Sequence, residues 1–228
     1  KDIPEVGQIH APNLEKFISL KPDLVVGTNV PFHVMLRKPL EMAGVPLYLN
    51  MINSYEDVLK SVDDFGRMAG KEKEAAAKRA QIEKDYAELT QDVQKGKGPK
   101  VLVIFGSPDS FNMSTKLSFS GDLVKRLGGV NIADKAENVK DSSFIPLSME
   151  FVAKENPDVV LLITMGGSKE ILEKLRSNMR DNAIWHDVNA VKNNRVYQLP
   201  PSLFTVNPGT HTIDAMKIMK EYMYGDVK

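Results

Sequence analysis

Two stretches of the chain carry the same succession of apolar and polar positions. In the first, the helix-like run Asn13-Leu14-Glu15-Lys16-Phe17-Ile18 ends at Lys21-Pro22-Asp23 and passes into the apolar run Leu24-Val25-Val26. In the second, Ser148-Met149-Glu150-Phe151-Val152 ends at Asn156-Pro157-Asp158 and passes into Val159-Val160-Leu161-Leu162-Ile163. Glu15 matches Glu150, Pro22 matches Pro157, Asp23 matches Asp158 and Val25 matches Val160, each at an offset of 135 residues. Proline disfavours helical geometry in the residue before it, so each helix stops before Pro-Asp. The apolar run that follows has the length and β-branching of a strand buried on both faces, as in a parallel sheet. Two such units at long spacing predict two similar α/β lobes.

The rest of the pattern fills in around the repeat. Residues 5–12 read as a short strand followed by a loop, and Asn13 as the N-cap of the helix carrying Glu15. After strand Leu24–Gly27, residues 33–43 place Met35, Leu36, Leu40 and Ala43 on one helical side, with Pro39 as a kink. Gly44 stops this helix before strand Val45–Leu49, which completes a β-α-β unit with parallel strands. Ser54-x-x-Asp57 is a capping signal for a helix to about Ala69, with Val58, Val62, Phe65 and Met68 on one face. Residues 71–95 are rich in Ala, Glu, Lys and Gln, all strong helix formers, and have a sparse apolar stripe of Ala76, Ala80, Ile82, Tyr86, Leu89 and Val93. This segment reads as a rigid rod between lobes, giving a division at 1–70, 71–98 and 99–228. The second lobe opens with strand Val101–Phe105. Ser120-Gly121-Asp122 caps a helix over Leu123–Leu127, stopped by Gly128-Gly129. The second repeat copy gives a helix at 148–155 and a strand at 158–163. Met165-Gly166-Gly167 is the loop after that strand, and Ser168 starts a helix with Glu170 in its first turn. A late strand, Val196–Leu199, and a terminal helix over 209–224 close the chain.

Composition narrows the function. The chain has 228 residues, 42% hydrophobic and 26% charged, with 30 basic residues against 30 acidic ones. That balance gives no field for nucleic acid or for a membrane surface. There is no cysteine, hence no disulfide, thiolate site or cysteine nucleophile. No apolar run approaches the roughly 20 residues needed to cross a bilayer. Phosphate-binding glycine loops, a nucleophile elbow and a His-x-x-x-His pair are all missing from the sequence. Two lobes, a rod and no catalytic constellation favour a binding protein over an enzyme. Its ligand belongs in a cleft lined by loops at the carboxyl ends of the strands. His10 precedes the first repeat helix and Met165 follows the second buried strand, so each lobe offers one donor. Imidazole nitrogen and thioether sulfur form an established axial pair for haem iron. On residue types alone, core filling by Met165 and simple solvation of His10 remain open.

At this point the chain resembles the substrate-binding proteins of siderophore, cobalamin and haem uptake transporters. The resemblance rests on Pro12-Asn13-Leu14-Glu15 with Leu20-Lys21-Pro22-Asp23-Leu24-Val25-Val26, on Gly121–Gly129, and on Ala190–Tyr197. It implies an α/β fold of two lobes with mainly parallel sheets joined by a single long helix, the class III periplasmic-binding-protein-like arrangement. The family's first strand and helix and its signal or lipoprotein region would precede Lys1, so the first lobe is expected to be truncated. Within the family the chain is most similar to the haem-binding lipoproteins of the iron-regulated surface determinant system. Those proteins hold iron with a Met just before the first-lobe Pro-x-x-Glu and a His-Gly just after the second-lobe strand. Here those positions hold His10 and Met165-Gly166, so the two ligand types have changed places. The resemblance implies haem as transported ligand, held by His10 and Met165, with Phe111, Met113, Met149 and Phe204 as apolar ring contacts. It also implies that Glu15 and Glu150 dock onto arginines of an ABC permease. The protein would work outside the cytoplasm as a lipoprotein, meeting the membrane only through a lipid anchor outside this sequence. Alternatives are a ferric siderophore or a cobalamin as ligand on the same scaffold, and, from another class, a two-lobed α/β enzyme.

Overall fold

Each copy of the repeat folds as a capped helix, a left-handed residue and a strand. The computed structural model describes residues 3–9, 11–137, 141–205 and 208–225. Leu14–Ser19 and Met149–Glu155 are helices, and Val25–Thr28 and Val159–Thr164 are strands. The Asn13 and Ser148 side chains cap the two helices by accepting from the third amide onward, Lys16 N–H at 2.9 Å and Phe151 N–H at 3.3 Å. The residues before the prolines, Lys21 and Asn156, have φ of 48° and 46°. Only three non-glycine residues among those described have positive φ, and two fall at this one repeat position. The turn-out recurs with the motif, and at both positions the residue before Pro leaves the α region that proline disfavours.

The chain divides into two compact units, Lys1–Met51 and Ile52–Lys228. The first contains β1 (Gly7–Gln8), β2 (Ala11–Pro12), α1 (Leu14–Ser19), β3 (Val25–Thr28), α2 (Pro31–Val34), α3 (Arg37–Met42) and β4 (Leu47–Asn50). β3 and β4 pair in parallel, as the β-α-β reading requires. Gly7–Gln8 and Ala11–Pro12 are two paired strands rather than a strand and loop: β1 pairs antiparallel with β2. The helical stretch 33–43 breaks at Met35–Leu36, not at Pro39. Pro39 sits in the first turn of α3, where its missing N–H has no helical partner to lose. A small core of Val25, Leu36 and Leu40, backed by Leu14, Phe17, Val45 and Leu47, holds this unit together.

The second unit contains α4 (Tyr55–Met68), α5 (Glu72–Thr90), β5 (Lys100–Gly106), β6 (Phe111–Ser114), α6 (Phe119–Arg126), β7 (Val130–Asn131), β8 (Phe144–Pro146), α7 (Met149–Glu155), β9 (Val159–Thr164), α8 (Lys169–Asp181), α9 (Ala183–His186), α10 (Asn189–Lys192), β10 (Val196–Gln198), α11 (Pro201–Phe204) and α12 (Thr212–Tyr224). Its sheet runs β10-β9-β5-β6-β8, with β7 also on β5. The pairs β10–β9, β9–β5 and β5–β7 are parallel, whereas β6 and β8 form an antiparallel flank. The fold is thus α/β with a mixed sheet, and the antiparallel flank was outside the sequence expectation. A tight turn over 107–110, closed by Ser107 N–H to the Ser110 carbonyl at 2.9 Å, reverses the chain there.

Alternate residues of β5 and β9 feed two cores. Val101, Val103, Val159, Leu161 and Ile163 pack with α4, α5, α6 and α12, while Leu102, Ile104, Val160 and Leu162 pack with α7, α8 and α9. Strands covered on both faces explain why these two runs are wholly apolar. α6 is capped by Ser118, which accepts from Gly121 N–H, so Ser120 lies inside the helix rather than at its cap.

The two helices on either side of Gly70 both belong to this second unit. α4 buries Tyr55, Val58 and Leu59, while Phe65 and Met68, expected on its apolar face, are each 42% exposed. Gly66 meets α5 so closely that a Cβ there would lie 2.3 Å from the Ala75 Cβ. α5 in turn sets Ile82, Tyr86 and Leu89 on the core. Arg126 of α6 fastens the pair. Its guanidinium donates to Asp122 at 2.7 Å and to Glu56, and lies 5.0 Å from the Tyr55 ring, which stacks on Tyr86. Asp122 also accepts from Tyr55 N–H at 2.9 Å. Burial, then nearby Glu83, pushes the Tyr55 phenol up to about 12.

Removing the Arg126 cation leaves Asp122 largely buried without its partner, which costs about 3 kcal/mol in comparable pairs. Arg126→Ala is therefore expected to lower stability by about that amount in urea unfolding. Arg126→Lys recovers only a minor part, because a point ammonium cannot stack and fork at once.

Candidate ligand site and docking residues

In the second unit the carboxyl ends of the parallel strands define one edge. Gly106 of β5 pairs with Thr164 of β9, and Gln198 of β10 with Leu162, so β9 ends among neighbours on both sides. Met165 follows at once and opens a short 3-10 turn over Met165–Gly167. Gly166 and Gly167 have φ of 60° and 69°, a region that costs side chains dearly and glycine little. Gly166 faces open space, whereas a Cβ on Gly167 would sit 2.8 Å from the Pro201 Cβ. Thr205 Oγ donates to the Thr164 carbonyl at 3.0 Å and steadies the strand end. The outcome is a Met165 side chain 48% exposed, although the strand before it is fully buried.

Phe111 lies at the same edge, paired with Gly106. Leu147 N–H donates to the Phe111 carbonyl at 3.0 Å, which brings the start of α7 alongside. Met149 is half-buried there and Glu150 is exposed. The structure therefore gathers Phe111, Met149, Glu150 and Met165 on one rim of this unit. Met113 and Phe204 are placed otherwise. Met113 is 2% exposed in the core with Leu102 and Ile104, and Phe204 is 7% exposed in the core on the opposite face. Their burial makes them packing residues in this structure.

In the first unit, His10 lies outside the described residues. The hairpin beside it is well defined: Asn13 N–H donates to the Val6 carbonyl at 2.8 Å, and Gly7 takes φ of 99° where a Cβ would meet the Ala11 carbonyl oxygen at 2.7 Å. Glu15, the second residue of α1, is exposed, as its repeat counterpart Glu150 is in α7. Each carboxylate sits in a helical first turn, where the helix dipole favours an anion. The sequence offered no role for His33. The structure shows both of its ring nitrogens bonded, Nδ1 to Thr28 N–H at 3.0 Å and Nε2 to the Ile9 carbonyl at 2.8 Å. His186 and His211 also have ring partners, the Arg180 carbonyl and Asp214. Among the described residues, no cluster of three His, Asp or Glu could hold a metal ion, and no helix is long and apolar enough to cross a membrane.

A mixed sheet flanked by helices has the organisation of periplasmic-binding-protein-like folds. The chain belongs to the periplasmic binding protein family, whose model matches residues 1–203. It is 31% identical over 235 residues to the high-affinity heme uptake system protein IsdE of Staphylococcus aureus strain MRSA252, covering all of this chain and 77% of that one. Among solved structures, S. aureus IsdE complexed with heme superposes with a TM-score of 0.84 at 28% identity, over 98% of this chain and 85% of that chain. An ABC transporter substrate-binding protein from Listeria monocytogenes EGD-e gives 0.83 at 28% identity, over 99% and 85%. These relatives are binding proteins of uptake systems, not enzymes.

The two glycines of the Met165 turn should respond differently to substitution. Gly166→Asn should be tolerated to within about 0.5 kcal/mol, since asparagine accepts left-handed geometry and the site is open. Gly167→Ala combines left-handed strain with a collision against Pro201 and should cost about 2 kcal/mol. Thermal unfolding of the two variants checks both.

Proposed function

We propose that this protein binds haem outside the cytoplasm and delivers it to an ABC importer for iron uptake. The observation that carries the reading is Met165, a 48% exposed thioether on a glycine turn at the strand ends. Met35 and Met42 are more exposed still, so what marks Met165 is its place just past the end of β9, where a soft thioether can meet haem iron. His10 supplies the second axial ligand, as a neutral imidazole. The pair uses no charged donor, so it leaves the charge of the iron centre unaltered. Phe111 and Met149, half-buried at the same edge of the sheet, supply apolar contacts to the macrocycle. The haem named for both IsdE relatives supports the same cargo.

Glu15 and Glu150 are the docking residues. They occupy one position of the repeat, are both exposed in a helical first turn, and present carboxylates that an arginine fork on a permease can grip. A lipid anchor outside these residues would hold the carrier near its permease.

Titration with haemin, followed by visible spectra in both redox states, tests the cargo and its ligands. Sharp low-spin bands are expected in the reduced form, lost in both His10→Ala and Met165→Ala. A spectrum like that of free haemin would overturn the haem assignment and direct the search to a siderophore or cobalamin. For docking, the double variant Glu15→Lys/Glu150→Lys should keep haem affinity while uptake falls to background; normal uptake would remove the docking assignment.

A further inference from the structure

We infer that His33 is a positioning residue that holds the hairpin tip leading into His10. This rests on the assignment of His10 as an iron ligand. The backbone fixes the chemistry of the His33 ring. Thr28 offers Nδ1 an amide N–H, 3.0 Å away, and an amide can only donate. Nδ1 is therefore unprotonated and the proton sits on Nε2, which donates to the Ile9 carbonyl at 2.8 Å. One imidazole thus ties the hairpin tip to the end of β3. The tie matters because, among the described residues, β1 and β2 form a sheet of two strands alone.

The surroundings are shaped for that ring. A Cβ on Gly27 would lie 3.3 Å from Nδ1 and 3.0 Å from a Leu49 methyl, so the absent side chain in β3 makes the space. Phe32 meets the ring edge-on, with centroids 5.0 Å apart at 88°. The held carbonyl belongs to the peptide unit that joins residue 9 to residue 10. That unit is planar, so the hydrogen bond to its oxygen anchors the described residue bonded directly to His10. A donor fixed in advance loses less freedom on binding, as with the outer-shell partners of metal ligands elsewhere.

The test uses the full chain with and without haemin. In the haem-free protein, the Nε2–H tautomer of His33 should appear in long-range 1H–15N spectra; an Nδ1–H tautomer would overturn the proposal. His33→Phe keeps the ring volume and loses both bonds, and should speed amide hydrogen exchange across residues 7–12. With haemin it should weaken binding on the order of 10-fold and shift the spectrum from low spin towards high spin. His33→Gln, which restores a donor near the Nε2 position, should recover part of both effects even if His33→Phe disturbs folding. Wild-type affinity and spectrum in His33→Phe, with loss in His10→Ala, would sink the positioning role and leave the ligand standing. An unchanged spectrum in His10→Ala would instead sink the ligand assignment and this inference with it.

Discussion

The parallel register of β5 on β9 is the constraint on which the second unit depends. Six consecutive pairs run from Val101–Val159 to Gly106–Thr164. Both strands are covered on both faces, so a slip of one residue would move every side chain into the opposite core. Each buried Val, Leu or Ile contributes about 1.5–3 kcal/mol on removal from water, and the two strands supply them in both directions. Everything attached to the strands inherits their register. β6 leaves β5 through the turn at 107–110, and α7 starts where Leu147 binds Phe111. Met165 projects where β9 has run out of partners.

That projection separates Met165 from the methionines of the sheet's two cores. Met113, Met179, Met216, Met219 and Met223 are buried fillers of irregular core space. Met165 shares their chemistry but sits beyond the last ladder residue, on a turn whose next two residues are left-handed glycines. The strain is confined to Gly166 and Gly167. A side chain held at a rigid strand end is positioned more precisely than one on a long loop.

The repeat shows one local device used twice. An N-cap, an exposed glutamate in the first turn, a left-handed residue and Pro-Asp recur with the same roles in α1–β3 and α7–β9. In the second copy Asp158 also accepts from Lys100 N–H at 2.8 Å, so the aspartate locks the strand entry to β5. The same local chemistry thus sets the strand start and leaves a carboxylate exposed on the surface in both copies.

Sequence alone determined whatever is decided within a few residues: the capped helices, the stops at Pro-Asp, the wholly apolar strands and the equivalence of Glu15 with Glu150. These depend on backbone sterics and on periods of 3.6 and 2, which neighbours in the chain set directly. The exposure of Met165 was half legible, since the glycines after it announce a turn but not what lies around it. Tertiary structure alone decided the antiparallel flank, because the short β6 and β8 become strands only by pairing with β5 and with each other. It decided which face of α4 is buried, since Gly66 against Ala75 and Arg126 against Tyr55 set its rotation over a core formed 40 or so residues later. It put Met113 and Phe204 into packing, and it gave His33 partners 5 and 24 residues away. Local patterns carry no trace of such contacts, because their free energy exists only once distant segments have been brought together.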